Sequence, residues 1–186
     1  YKAAQKSVGI TEGKESILLE INHLVSNIEN ENRHIENLET QMAVYLEQIP
    51  YSHSLLSLKG IGKITVAGLV GEVGDFRKFK TISEVTKLAG LDLFEVSSGN
   101  HNGVRRISKR GRALMRKLLF FAALNTVKSN GIMHAKYHTM LGNGTSKMKA
   151  LVAVARKLLR IVFALARDNT EYDEHYVRKH EYKLAA

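Results

Sequence analysis

The residues best suited to phosphate chemistry lie between positions 97 and 117. Ser97 and Ser98 precede a glycine, and seven cations follow within 13 residues, without an acidic residue among them. A serine hydroxyl is a nucleophile, and arginines stabilise the extra negative charge of a phosphodiester transition state. Serines in Gly- and Asn-rich segments also form turns, so spacing alone leaves both interpretations open. The cations, which we expect to bind nucleic-acid backbone, are Arg105, Arg106, Lys109, Arg110, Arg112, Arg116 and Lys117.

A second candidate phosphate site is the turn from Gly60 to Gly62, which joins two apolar segments in a helix-hairpin-helix pattern. Glycines permit a tight turn, and they allow backbone N–H groups at the start of the second helix to approach a phosphate. Lys59 and Lys63 flank this turn and add positive charge. The alternative is a plain corner between two helices.

The sequence predicts no metal site. His134 and His138 are spaced to share one helix face, but no third ligand is evident. The chain contains no cysteine, and its carboxylates show no cluster that would hold two magnesium ions. His101 lies three residues after Ser98 and is a candidate base.

The charge distribution points to a polyanionic partner. The net charge is +10 overall, yet residues 1–50 carry four basic and eight acidic side chains. Residues 93–167 carry 15 basic side chains and a single acidic one, Glu95. This asymmetry is typical of nucleic-acid binding.

A hydrophobic content of 44% excludes a disordered chain. No signal or membrane segment is evident, which predicts a soluble cytoplasmic protein.

Residues 17–49 predict one long helix that pairs as a coiled coil, within or between chains. Apolar residues recur in steps of four and three, Glu31 interrupts the seam once, and Pro50 ends the helix. The seam consists of Ile17, Ile21, Leu24, Ile28, Glu31, Ile35, Leu38, Met42, Tyr45 and Ile49.

Further helices are expected on either side of the basic segment. Ser83 is a plausible N-cap for the helix that precedes it. Residues 92–104 predict a loop or a short hairpin around Asn102-Gly103, and segment 93–112 lacks apolar anchors, so we expect it not to pack on the domain. A last helix spans 146–167, capped by Thr145 or Ser146. The inward faces are predicted to be Leu114, Leu118, Phe121 and Ala122, then Leu151, Val154, Leu158, Ile161, Val162 and Leu165.

Together these segments predict an all-α fold, with a long coiled-coil helix followed by a compact helical domain that contains a helix-hairpin-helix motif. We place the coiled-coil helix at residues 1–50, the helical domain at 51–168 and a C-terminal tail at 169–186. Residues 183–186 of that tail resemble vector-encoded sequence.

Several short motifs, in this order, resemble the C-terminal transposase domain of the IS110 family of insertion-sequence transposases. The similarity covers roughly residues 53–168, and the preceding heptad helix resembles the coiled coil found before this domain. The motifs lie at 58–62, 71–76 (Gly-Glu-Val-Gly-Asp-Phe), 87–92 (Lys-Leu-Ala-Gly-Leu-Asp), 98–99, 106–111 (Arg-Ile-Ser-Lys-Arg-Gly) and 149–161.

The resemblance implies a site-specific DNA recombinase guided by a bridge RNA. It implies that Ser98 is the catalytic serine, with Ser97 one position away, and that residues 106–111 help to hold nucleic-acid backbone. It also implies that magnesium is bound by a RuvC-like N-terminal domain. Nothing in these 186 residues resembles that domain, so we expect the fragment to bind nucleic acid and self-associate through residues 17–49 without recombining DNA.

Two other functions remain open at this stage. One is a non-catalytic helix-hairpin-helix DNA-binding module that is dimerised by the coiled coil. The other is an RNA-binding or assembly protein that retains the domain. A Ser98→Ala substitution distinguishes the recombinase from the DNA-binding module, because it should abolish recombination only if Ser98 is catalytic. Competition between duplex DNA and structured RNA distinguishes a DNA-binding protein from the RNA-binding or assembly protein.

Overall fold

The long N-terminal helix is present in the structure. A computed structural model of the chain describes residues 13–95 and 105–175. Helix α1 spans Lys14–Glu47, and its 34 residues contain no glycine or proline. Up to Met42 it forms a unit of its own, and most of its apolar side chains there are about half exposed. The helix ends two residues earlier than the seam predicted, in a tight turn where the Ile49 N–H donates to the Leu46 carbonyl.

The second unit, from Ala43 onward, is a helical domain built around the last helix. Its elements are α2 (Ser52–Leu56), α3 (Lys63–Val73), a 3-10 turn (Phe76–Lys78), α4 (Ile82–Leu88), strands β1 (Leu93–Phe94) and β2 (Arg106–Ile107), α5 (Ala113–Thr126), α6 (His134–Gly142) and α7 (Lys147–Asp168). Helix α7 packs against α2, α4, α5, α6 and the 3-10 turn. The predicted all-α class is confirmed, with one two-stranded ladder added to it.

Helix α7 supplies the centre of the core because its apolar residues follow a helical period. The predicted inward face is confirmed: five of its six residues are buried and Ile161 is half-buried. The buried residues of α7 are Ala150, Leu151, Val154, Ala155, Leu158, Leu159, Val162, Phe163, Leu165 and Ala166.

The inward face predicted for α5 was wrong at two positions. Leu114 and Phe121 are 49% and 51% exposed, whereas the buried residues are Met115, Leu119, Ala122, Ala123 and Thr126. One residue along a helix is a rotation of about 100°. Because α5 packs on both α3 and α7, the buried face includes the small residues Ala122 and Ala123 beside Met115 and Leu119, and Phe121 lies outside it.

The turn between α2 and α3 depends on Gly60. Its φ is +94°, in the left-handed region, and a Cβ atom there would lie 2.8 Å from the Cγ2 atom of Thr126, which is fully buried. Gly62 differs, since it has a φ of −91° and open space beside it. Only the first glycine is therefore required by conformation and packing.

We expect Gly60→Ala to lower the free energy of unfolding by about 2 kcal/mol, because left-handed strain adds to the clash with Thr126. Gly62→Ala is the matched control and should lower it by at most about 1 kcal/mol, the loss expected when alanine replaces glycine at an N-cap. Urea unfolding followed by circular dichroism measures both. Equal destabilisation by the two variants would contradict this account of the turn.

The predicted N-cap of the helix before the basic segment was wrong. Helix α4 begins at Ile82 with Thr81 as its N-cap residue, so Ser83 lies inside the first turn. The Glu84 carboxylate explains the earlier start. It accepts hydrogen bonds from the Lys80 N–H at 3.1 Å and the Thr81 hydroxyl at 3.2 Å.

Strands β1 and β2 form an antiparallel pair in which Leu93 faces Ile107 and Phe94 faces Arg106. Of the two possibilities for this region, the strands agree with a hairpin; Asn102-Gly103, the turn expected to connect them, lies outside the described residues. No helix in the described parts of the chain is both long and apolar enough to cross a membrane.

The expectation that segment 93–112 does not pack on the domain was wrong for residues 105–112. The Lys109 N–H donates to the Gly90 carbonyl at 3.0 Å, and the Arg112 N–H donates to the Leu88 carbonyl at 2.9 Å. A Cβ on Gly111 would collide with the Leu88 carbonyl oxygen. Backbone hydrogen bonds to the end of α4 therefore hold the basic segment, and Ile107, which the sequence analysis did not count as an apolar anchor, packs against the core.

Candidate nucleic-acid interface

The basic segment presents three exposed cations without an acidic partner. Arg106, Lys109 and Arg110 form no ion pair with any described residue. Lys109 has a φ of +56°, a left-handed conformation rare for a side chain of this size. These three positive charges are unneutralised within the described chain, which is the condition for attracting a polyanion.

The neighbouring arginines are already engaged with the protein. Arg105 donates from Nε to Glu95 at 2.7 Å, and this hydrogen bond raises the pKa of the Arg105 guanidinium. Arg112 lies 3.9 Å from the Glu72 carboxylate. Arg116 is half-buried, and its Nη1 donates to the carbonyls of Ala89 and Gly111 at 3.1 and 3.0 Å. Arg116 therefore ties the end of α4 to the basic segment, although the sequence marked it as a nucleic-acid contact.

The lysines of the turn between α2 and α3 form a separate group. Lys59 and Lys63 are exposed, and α3 begins at Lys63 with Gly62 as its N-cap and no side chain capping its first N–H groups. Helix α3 packs on α5, and its Glu72 lies beside Arg112. Nine residues separate Lys63 from Glu72, which is about 14 Å along the helix. The structure thus places Lys59, Gly60, Gly62 and Lys63 at the other end of α3 from the Glu72–Arg112 pair.

The two ends of the segment that contains Ser97 and Ser98 are joined by the β ladder and two side-chain contacts. Ser108 donates a short hydrogen bond to the Asp92 carboxylate, and its backbone N–H donates to the Asp92 carbonyl at 2.9 Å. The Arg105–Glu95 ion pair follows on the other side of the ladder. Ser97, Ser98 and His101 themselves lie outside the described residues. The structure does define how Glu95 and Arg105, the described residues on either side of this segment, are held.

An open groove of about 880 Å³ lies between the β1–β2 ladder and α7. Its polar lining consists of one serine, Ser108, and five cations. Lys149 and Arg156 of α7 are the two that sequence reasoning did not assign to a site, because their meeting with β2 depends on tertiary packing. The available signal was their position away from the apolar face of α7. The lining residues are Leu93, Phe94, Arg105, Arg106, Ile107, Ser108, Lys109, Met148, Lys149, Val152, Ala153 and Arg156.

Arg156 is the most desolvated cation of this groove. Its Nε is buried and has no hydrogen-bond partner among the described residues. Burial lowers the pKa of the Arg156 guanidinium, Arg160 lowers it further, and Asp92 acts in the opposite direction. An arginine remains protonated under these conditions, so the structure holds a positive charge that an anion in the groove would stabilise.

The described residues contain no group of three or more His, Asp or Glu side chains arranged to hold a metal ion. The rings of His134 and His138 stack with centroids 4.2 Å apart, and His134 Nδ1 lies 3.1 Å from the Val127 carbonyl oxygen. Local contacts thus account for this pair.

Comparison with known proteins finds one matching family model and several similar proteins. Residues 52–138 match the model of the transposase IS116/IS110/IS902 family. An uncharacterised 43.6 kDa protein of insertion element IS110 from Streptomyces coelicolor is 25% identical over 93% of this chain. The transposase for insertion sequence element IS1111A from Coxiella burnetii is 27% identical over 87% of it. A pilin gene-inverting protein from Moraxella lacunata is 29% identical over 68%.

The chain is therefore similar, over residues 52–138, to the transposase IS116/IS110/IS902 family, which agrees with the motif resemblance. It spans less than half the length of these relatives, at 43%, 44% and 40% respectively.

Proposed function

We propose that this chain is the nucleic-acid-binding, serine-bearing part of a DNA transposase or site-specific recombinase. The supporting observation is a set of three exposed cations, Arg106, Lys109 and Arg110, which form no ion pair with a described residue. They follow directly on a segment whose ends are joined by β1 and β2. Ser98 lies within that segment, three residues after Glu95. Similarity to the family and local charge thus favour the same reaction class, phosphoryl transfer on DNA.

In the proposed step the Ser98 hydroxyl oxygen attacks a backbone phosphorus. A serine–phosphate ester bond forms as one phosphorus–oxygen bond of the DNA backbone breaks. The serine proton is released, and the departing sugar oxygen is protonated. Nearby arginines stabilise the added charge of the transition state. Because the ester conserves the phosphodiester energy, a second DNA hydroxyl can displace the serine and complete strand exchange.

The whole transposase is proposed to bind a guide RNA as well as DNA, and to hold magnesium with residues other than those described here. The described part of this chain offers no three-ligand cluster for that metal. Self-association is proposed through α1. Its seam residues Ile17, Ile21, Leu24 and Ile28 are each about half exposed, the state expected of a coiled-coil face before pairing.

A covalent adduct is the direct test of the nucleophile. The whole transposase is incubated with element-end DNA, cellular RNA and magnesium, then denatured and digested. We expect mass spectrometry to detect a nucleotide-linked peptide spanning Phe94 to Arg105, with the adduct on Ser98. The adduct should be absent from Ser98→Ala and present in Ser97→Ala. An adduct that persists in Ser98→Ala would contradict the assignment.

The competing function is a non-catalytic DNA-binding module that uses the hairpin turn. The observation in its favour is the start of α3, where Gly62 is open and the first N–H groups lack a side-chain cap. No adduct on either serine, with tight DNA binding retained and the guide RNA supplied, would favour this module.

A further inference from the structure

The groove between the β1–β2 ladder and α7 is lined by both apolar and cationic side chains. Leu93, Phe94 and Met148 line it and are 47%, 45% and 61% exposed. Large apolar side chains that are exposed next to one another are typical of a surface that binds a ligand or a partner molecule. Its described lining includes five lysine or arginine residues and no carboxylate, so the ligand should be an anion with an apolar surface.

A nucleotide chain fits both properties. Its bases offer flat apolar faces, and its phosphates offer one negative charge each. In a duplex the base faces are stacked and only their edges are accessible. The ring of Phe94 can therefore be used as a platform only by a base that has left the stack, as in a single strand.

The polar lining favours DNA over RNA. Recognition of RNA commonly uses groups that hydrogen-bond the 2′-hydroxyl. Within the described lining the only uncharged polar side chain is Ser108, and its hydroxyl already donates to Asp92. The remaining polar groups are cations, which match phosphate.

We propose that this groove binds a single-stranded segment of DNA, with an unstacked base against Phe94 and flanking phosphates on Arg106, Lys149 and Arg156. This inference rests on the proposed function as a DNA transposase and defines the DNA state that the domain holds. Arg156 contributes because its guanidinium is partly buried and its Nε lacks a partner among the described residues. A phosphate in the groove gives that charge a counterion.

Binding by the 186-residue chain tests the proposal. Fluorescence anisotropy compares a labelled single-stranded DNA, the duplex of the same sequence and the corresponding single-stranded RNA, at one fixed salt concentration. We expect Phe94→Ala to weaken single-stranded DNA binding by about tenfold and duplex binding by less than about twofold. Phe94→Trp should retain binding, since it keeps the stacking surface.

Phe121→Ala is the matched control, because Phe121 is an aromatic of similar exposure, 51%, that does not line this groove. It should leave all three affinities unchanged. Unchanged binding of single-stranded DNA by a folded Phe94→Ala variant would overturn the proposal, as would equal losses for single strand and duplex. A larger loss for RNA than for DNA would overturn the choice of DNA. Failure of the Ser98 adduct test would refute the nucleophile and leave these binding results standing.

Discussion

Ser98→Ala in the whole transposase is expected to reduce strand exchange at least about a thousandfold, while DNA affinity changes by less than about twofold. Removal of a covalent nucleophile leaves positioning and electrostatic stabilisation in place but eliminates the intermediate. Gel analysis of labelled element-end and target DNA measures the exchange, and anisotropy measures the binding. Ser97→Ala is the neighbouring control and should retain most activity.

Retained exchange by Ser98→Ala would show that another group attacks the phosphate. If Ser97→Ala were then the inactive variant, the mechanism would stand and the assignment would move by one residue. If both variants recombine normally, neither Ser97 nor Ser98 is the required nucleophile. A fall in DNA affinity that matches the fall in exchange would assign Ser98 to DNA binding and not to catalysis.

The anchoring of the serine segment gives this prediction a physical basis. A nucleophile must be held close to its target, because small displacements cost large factors in rate. The Ser108–Asp92 hydrogen bond and the Arg105–Glu95 ion pair fix the chain on both sides of residues 96–104. Ser108 belongs to the motif at 106–111, which the resemblance associated with nucleic-acid backbone. The Ser108 side chain contacts Asp92 instead, so part of that motif positions the β1–β2 ladder.

Features set by local sequence were predictable. The heptad spacing in residues 17–49 yields α1, and the helical period of Leu151, Val154 and Leu158 yields the buried face of α7. Gly60 marks the turn between α2 and α3 because few other residues adopt its left-handed φ. In each case the signal lies within a few helical turns of chain, where backbone geometry dominates.

Features set by tertiary contacts were not predictable. The buried face of α5 was misassigned because it depends on how α3 and α7 pack against that helix. In the structure this packing leaves Phe121 exposed. The structural use of Arg116 depends on carbonyls of Ala89 and Gly111, which its residue type does not reveal. The groove joins β2 to Lys149 and Arg156, more than 40 residues away in the chain, so no local pattern contains it.

Those contacts decide which cations to neutralise in a test of DNA binding. Arg116 holds α4 to the basic segment, and Arg105 and Arg112 lie beside carboxylates. Substitution of these three would confuse loss of fold with loss of charge. Arg106, Lys109 and Arg110 are exposed and form no ion pair within the described part of the chain, so their replacement should leave the core intact.

The triple variant Arg106→Gln, Lys109→Gln and Arg110→Gln is expected to lower the salt dependence of DNA binding by about three, in the slope of log K against log salt. At 0.1 M salt this corresponds to a loss of affinity of about 10² to 10³-fold, because each lost phosphate contact removes one released counterion. Anisotropy across a salt series measures both quantities. The matched control replaces the exposed Lys78, Lys80 and Lys136, which removes the same charge elsewhere. Similar changes in both variants would show that net charge, rather than the basic segment, governs binding.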